Sequence, residues 1–137
     1  MRNSLAALAL TTALVPFPGG GGAQASGGGS SSRGSLNFVP MEEVTVPIIE
    51  ADRVAGRMRV KLVLEASTGE VFAKARAEMP RLREATIAAA LEFARINASS
   101  MRAIDAGKLD HDLNAALRIA EPGLSRVLIV EVAASHS

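Results

Sequence analysis

The chain has 137 residues, 15 basic and 14 acidic side chains, and a formal net charge of +1. Because these charges balance, electrostatics gives no reason to expect nucleic acid or an anionic membrane as a partner. The absence of cysteine excludes disulfides and thiol nucleophiles, and the absence of Trp and Tyr argues against a stacking platform for bases or sugars. The length is typical of a single domain.

Residues 1–25 are predicted to form a secretory signal peptide. Arg2 precedes an apolar run over residues 5–15, and the small-x-small sequence at 23–25 suits signal peptidase. The run is shorter than the roughly 20 residues that a helix needs to cross a bilayer. We therefore expect cleavage and a periplasmic location. One alternative is an inner-membrane anchor formed by an uncleaved N-terminus; another is a translation start further upstream that adds a longer membrane helix.

Residues 26–37 are rich in Gly and Ser and are predicted to be a flexible linker. A phosphate-binding loop is the functional alternative, but no Gly-Lys-Ser/Thr follows and neither a strand nor a helix flanks the tract. The folded domain is therefore expected over residues 38–137.

Two strands are predicted at the start of this domain. The first covers residues 43–49, where Pro47 cannot donate a ladder hydrogen bond and so predicts an edge strand or a bulge. A turn over 52–56 leads to the second strand, 57–65. In this strand alternate apolar residues predict a sheet with one buried face: Met58, Val60, Leu62 and Leu64.

Three helices and a last strand follow. The first helix is expected over about 68–79, with Ser67 and Glu70 as a capping box. The second covers 80–96 and the third about 108–120. Residues 126–133 are almost continuously apolar, which predicts a central strand covered on both faces. The resulting order, β-β-α-α-α-β, indicates an α+β fold with a three-stranded antiparallel or mixed sheet and two or three helices on one face.

The second predicted helix has two apolar stripes. The inward stripe consists of Leu82, Ala85, Ala89, Phe93 and Ile96. The other consists of Ile87, Leu91 and Ala94, and it predicts either packing under a neighbouring helix or an interface with another subunit.

No pattern in the sequence predicts a catalytic, cofactor or metal site, so we do not expect an enzyme. Residues 110–112 (Asp-His-Asp) point about 100° apart on a helix and cannot converge on one ion. Residues 99–100 (Ser-Ser) have no nearby histidine base to activate a hydroxyl. Arg76, Arg81 and Arg83 are compatible with anion binding, and equally with a solvated face paired with glutamates.

From residue 38 to 131 the chain resembles the periplasmic domain of FliL, the flagellar basal body-associated protein. The matching pieces are FVPM at 38–41, MRVKLVLE at 58–65, MPRLREA at 79–85 and VLIVE at 127–131. The resemblance implies a stomatin-like fold, ring-forming self-association and flagellar stator proteins at the inner membrane as partners. It also implies that Ile87 and Leu91 are subunit contacts.

The sequence thus predicts a non-enzymatic, exported, FliL-like assembly or accessory module that supports the flagellar stator. No small-molecule substrate is evident. The alternative is a periplasmic domain that binds a small ligand or lipid. It requires a concave apolar pocket between sheet and helices, lined by Leu62, Leu64 and Phe93.

Overall fold

The computed structural model of the protein describes residues 37–137. The predicted signal peptide lies outside the described residues, as does the predicted linker except for Asn37, which begins the first strand. The elements, in chain order, are β1 (Asn37–Pro40), β2 (Val44–Glu50), β3 (Arg53–Ala66), α1 (Gly69–Ala77), α2 (Met79–Asn97), α3 (Ala106–Ala120) and β4 (Leu124–His136). The predicted α+β class and element order are confirmed, with β1 as an additional strand.

β3 is the centre of an antiparallel sheet. β1 and β2 pair with successive parts of one edge of β3, and β4 pairs with the other edge. The alternation predicted for this strand is confirmed, because the residues that were expected to share one face are all buried: Met58, Val60, Leu62 and Leu64. Directly opposite pairs, such as Val60 with Val44 and Leu64 with Val127, extend this buried face across the sheet.

The prediction that the last strand is central and covered on both faces is wrong, because among the strands of residues 37–137 β4 pairs only with β3. Its apolar run alternates between two environments. Val127 is buried in the core, whereas Leu128 pairs with Val63 on the face opposite the core. Val130 is the extra residue where the pairing with β3 shifts register, and its side chain is exposed.

β2 is an edge strand, as Pro47 predicted, and its pairing with β3 shifts register between Ile48 and Ile49. The turn that follows is shorter than predicted. It consists of Ala51 and Asp52, which both have positive φ, 47° and 62°. Two left-handed residues between paired strands form the type I′ turn that matches the twist of a hairpin. Asn-Gly is the usual signal for this turn, so Ala-Asp gave no indication of it.

The three helices pack on the buried face of the sheet, α2 mainly against β2, α3 against β4 and α1 against β1 and β3. Each helix boundary lies within two residues of its prediction. Their contribution to the core is mainly aliphatic: Leu82, Phe93, Leu109, Leu113 and Leu117 are fully buried. Ile96 was expected in this layer but is 62% exposed. The inner face of α2 includes Thr86, whose hydroxyl donates to the Leu82 carbonyl oxygen at 2.8 Å and is thereby satisfied.

The cap of α1 also differs from the prediction. Thr68 is the N-cap, and its hydroxyl oxygen accepts from the Val71 N–H at 3.2 Å. Ser67, the predicted cap, instead donates its hydroxyl to the Gly123 carbonyl oxygen at 2.7 Å. The connection between α3 and β4 therefore recruits Ser67, and the helix begins one residue later.

A buried carboxylate stabilises the same connection. The Lys74 ammonium lies 2.7 Å from Glu121 Oε2, and the Gly123 N–H donates to Glu121 Oε1 at 3.1 Å. The contact with the Lys74 ammonium holds the pKa of Glu121 below its ordinary value, although burial opposes this effect. Glu121 thus remains charged and joins α1 to the start of β4.

Candidate interaction surface

The residues of the predicted second stripe of α2 do not form one continuous exposed surface. Ala94 is 1% exposed and packs in the core, so it cannot contact another subunit. Ile87 is half-buried against the same core. Leu91 is 41% exposed. Of the three predicted interface residues, Leu91 is therefore the one with a large apolar area facing outward.

Leu91 lines a shallow groove at the free edge of β2. The groove has a volume of about 250 Å³ and is lined by Pro47, Ile49, Ala88, Leu91, Glu92 and Arg95. Ile49 is 46% exposed, so two large aliphatic side chains from separate elements share one exposed groove. We call these six residues the α2–β2 surface.

Leu91 is exposed on α2, and its role as an interface residue stays a prediction, whereas Ile49 was not among the predicted interface residues. The alternation along β2 does put Ile49 on the same side as Thr45 and Pro47, away from the core. That signal shows only that Ile49 is not buried in the core. Its position beside Leu91 depends on the packing of α2 against β2, which no local pattern contains.

An ion pair borders the groove. The Arg95 Nη2 group donates to Glu92 Oε1 at 2.7 Å and Arg95 Nε donates to Glu92 Oε2 at 3.1 Å, so the pair is bidentate. Hydrogen bonds from Arg95 lower the pKa of Glu92, and the same contacts raise the pKa of Arg95. Both side chains are mostly exposed, so the pair contributes little to the stability of the monomer. The pair places one negative and one positive charge at the rim of the α2–β2 surface.

The structure also locates the residues considered for catalysis. The Ser100 hydroxyl and N–H both donate to the Glu50 carboxylate, at 3.3 and 2.9 Å, and these hydrogen bonds lower the pKa of Glu50. Ser100 thus fixes its loop to the end of β2. His111 is exposed on α3. Within residues 37–137, no group of three or more His, Cys, Asp or Glu side chains could hold a metal ion.

The pocket required for the ligand-binding alternative does not form where it was expected. Leu62 and Leu64 are enclosed in the core, at most 2% exposed. Phe93 borders a surface groove between α2 and α3, away from the sheet residues. The core thus occupies the space between sheet and helices.

Comparison with known proteins assigns this chain to no family. No protein-family model matches the chain, and no curated protein matches it significantly. Among the helices of residues 37–137, none combines the length and the hydropathy needed to cross a membrane.

Proposed function

We propose that this protein is a non-enzymatic assembly module that associates with a second copy of itself through the α2–β2 surface. The observation that carries the proposal is the half-exposure of Leu91 and Ile49 in one groove. Single exposed aliphatic side chains are ordinary on soluble proteins, whereas adjacent ones with a charged rim are typical of interaction sites. The surface therefore favours a protein partner over solvent.

The charges at the rim favour a second copy as that partner. Glu92 and Arg95 lie about one helical turn apart on α2. A two-fold contact between antiparallel α2 helices would bring Glu92 of one protomer opposite Arg95 of the other, twice per interface. Such a contact is isologous, and the same patch serves both partners. An unrelated partner would need a separate set of matching charges.

Disrupting this contact should lower the mass of the assembly in solution. Light scattering coupled to size-exclusion chromatography should give a dimer or larger oligomer for the 137-residue chain. Leu91→Glu should weaken association at least tenfold, because it places a charge in the apolar part of the interface. Ile119→Glu is the matched control, since Ile119 is 82% exposed on α3 and lies outside the α2–β2 surface. A monomeric parent chain, or equal association of all three proteins, would contradict the proposal.

Charge exchange tests the two-fold geometry separately. Glu92→Arg and Arg95→Glu should each weaken association, because like charges would then face each other across the axis. The double variant restores both opposite-sign contacts and should recover the parental mass. Circular dichroism checks that each variant is folded. The variants should fold, because the ion pair within one chain contributes only about 0.3–0.5 kcal/mol to stability. Equal weakening by the double variant would exclude this pairing.

We further propose that the module acts in the periplasm beside the flagellar stator. This proposal is supported by the signal-peptide pattern of residues 1–25 and by the resemblance of residues 38–131 to FliL. In an exporting host we expect a periplasmic protein whose intact mass, measured by mass spectrometry, corresponds to a chain cleaved after Ala25. Recovery of the uncleaved chain in the membrane fraction would instead support the inner-membrane anchor.

A further inference from the structure

A second groove lies between β1, α1 and the first residue of α2. It has a volume of about 440 Å³, within the range of about 300–1,000 Å³ common for small-molecule sites. Its lining is apolar except for one cation: Val39, Pro40, Phe72, Arg76 and Met79. Val39 is buried in the core, so the floor of the groove is part of the rigid domain.

Arg76 is held at this groove by an aromatic ring. Its guanidinium carbon lies 5.7 Å from the centre of the Phe72 ring, within the range of a cation–π contact. Among residues 37–137, no carboxylate lies within 4.0 Å of the guanidinium. The nearest acid in sequence, Glu78, is engaged elsewhere, because it pairs with Arg81 at 3.3 Å. Arg76 thus offers its donors to a ligand in the groove.

We propose that this groove binds a small carboxylate amphiphile, such as a medium-chain fatty acid. The apolar chain would lie against Val39, Phe72 and Met79, and the carboxylate would accept from Arg76. The guanidinium fork matches a carboxylate in two hydrogen bonds, and the flexible thioether of Met79 can adapt to chains of different shape. This inference goes beyond the proposed assembly function and uses none of its residues.

Charge complementarity distinguishes this ligand from the chain's own N-terminal residues. Residues 1–36 precede β1, and they include Leu36 and other apolar side chains that would suit the groove floor. However, they contain no Asp or Glu, so they cannot supply an anion to Arg76. A carboxylate amphiphile complements both the apolar lining of the groove and the Arg76 cation.

The test uses decanoate, titrated into the 137-residue chain below its micelle-forming concentration and followed by calorimetry. We expect saturable binding of one decanoate per chain. Decanol, which has the same apolar chain without the charge, should bind at least tenfold more weakly. Arg76→Gln should weaken decanoate at least tenfold while leaving decanol unchanged, because it removes the charge and keeps the fold of an exposed helical position.

Arg118→Gln is the matched control, since Arg118 is an exposed arginine on α3 outside the groove. It should bind decanoate as the parent does. The Leu91→Glu variant should also bind normally, which separates this site from the assembly surface. Equal affinity for decanoate and decanol, or an unchanged affinity in Arg76→Gln, would overturn the proposal. Binding that weakens as the protein concentration rises would identify a second copy as the occupant and would also overturn it.

Discussion

Asn114→Leu is expected to lower the free energy of unfolding by about 2–4 kcal/mol, because it removes the partner of both backbone groups of Val127. Asn114 Oδ1 accepts from the Val127 N–H at 2.8 Å, and Asn114 Nδ2 donates to the Val127 carbonyl oxygen at 3.1 Å. Val127 is fully buried. Each buried group left without a partner costs about 1–3 kcal/mol. Urea unfolding followed by circular dichroism measures the difference.

The control is the same substitution at a weaker contact. Asn97 Nδ2 donates to the Phe93 carbonyl oxygen at 3.4 Å, which is near the limit for a hydrogen bond. Asn97→Leu should therefore cost less than about 1 kcal/mol. Equal costs for the two variants would show that Asn114 is a generic helix residue. Amide exchange at Val127 gives a second reading, since it should accelerate only in Asn114→Leu.

This contact also explains how β4 is accommodated as an edge strand. The N–H and C=O of one residue in a strand point to the same side, and β3 lies on the other side of Val127. The Asn114 amide therefore occupies the position that a further strand would take. Edge strands with free backbone groups are prone to pair with other chains, and a side-chain amide that covers one of these positions limits such pairing.

The fold was predictable from sequence where a local pattern reports burial directly. The alternation over 57–65 predicted the buried face of β3, and Pro47 predicted an edge strand. Features that depend on distant residues were not predictable. The cap moved from Ser67 to Thr68 because Gly123 competes for the Ser67 hydroxyl. β1 has four residues, which is too short for a periodic pattern, and it is fixed by pairing with the far end of β3.

The candidate site was predictable only in part for the same reason. Helical periodicity separated Leu91 from the inner face of α2, but it also grouped Leu91 with Ala94. The two differ because Ala94 is small and is covered by neighbouring elements, whereas Leu91 extends beyond them. Ile49 entered the site through the packing of α2 on β2. Arg76 was identified as a candidate anion ligand, and the structure adds the apolar groove beside it.

Gly56→Ala is expected to lower the free energy of unfolding by about 3 kcal/mol, at the upper end of the usual cost of overpacking. Gly56 lies inside β3, where it pairs with Ile48 on one side and His136 on the other. A Cβ at this position would meet the Ser135 carbonyl oxygen, and it would lie 3.3 Å from the Ser100 Cβ. A neighbouring backbone cannot rotate away as a side chain can, so the end of β4 would have to move.

Gly107→Ala is the control for this prediction. Gly107 lies in α3, and a Cβ there would make an ordinary contact of 3.5 Å with Asp105 Oδ1. Alanine is favoured over glycine in a helix, so Gly107→Ala should leave stability unchanged or raise it by up to about 1 kcal/mol. The Ser137 N–H, which donates to the Ala55 carbonyl oxygen at 3.1 Å, should lose protection from exchange only in Gly56→Ala.

Gly56 lies in β3 and not in the hairpin turn. The turn predicted from sequence covers residues 52–56 and so includes Gly56. In the structure the turn is made by Ala51 and Asp52 despite their positive φ, and Gly56 permits a close approach between strands instead. If Gly56→Ala proved neutral with Ser137 still protected, this approach would not constrain β4.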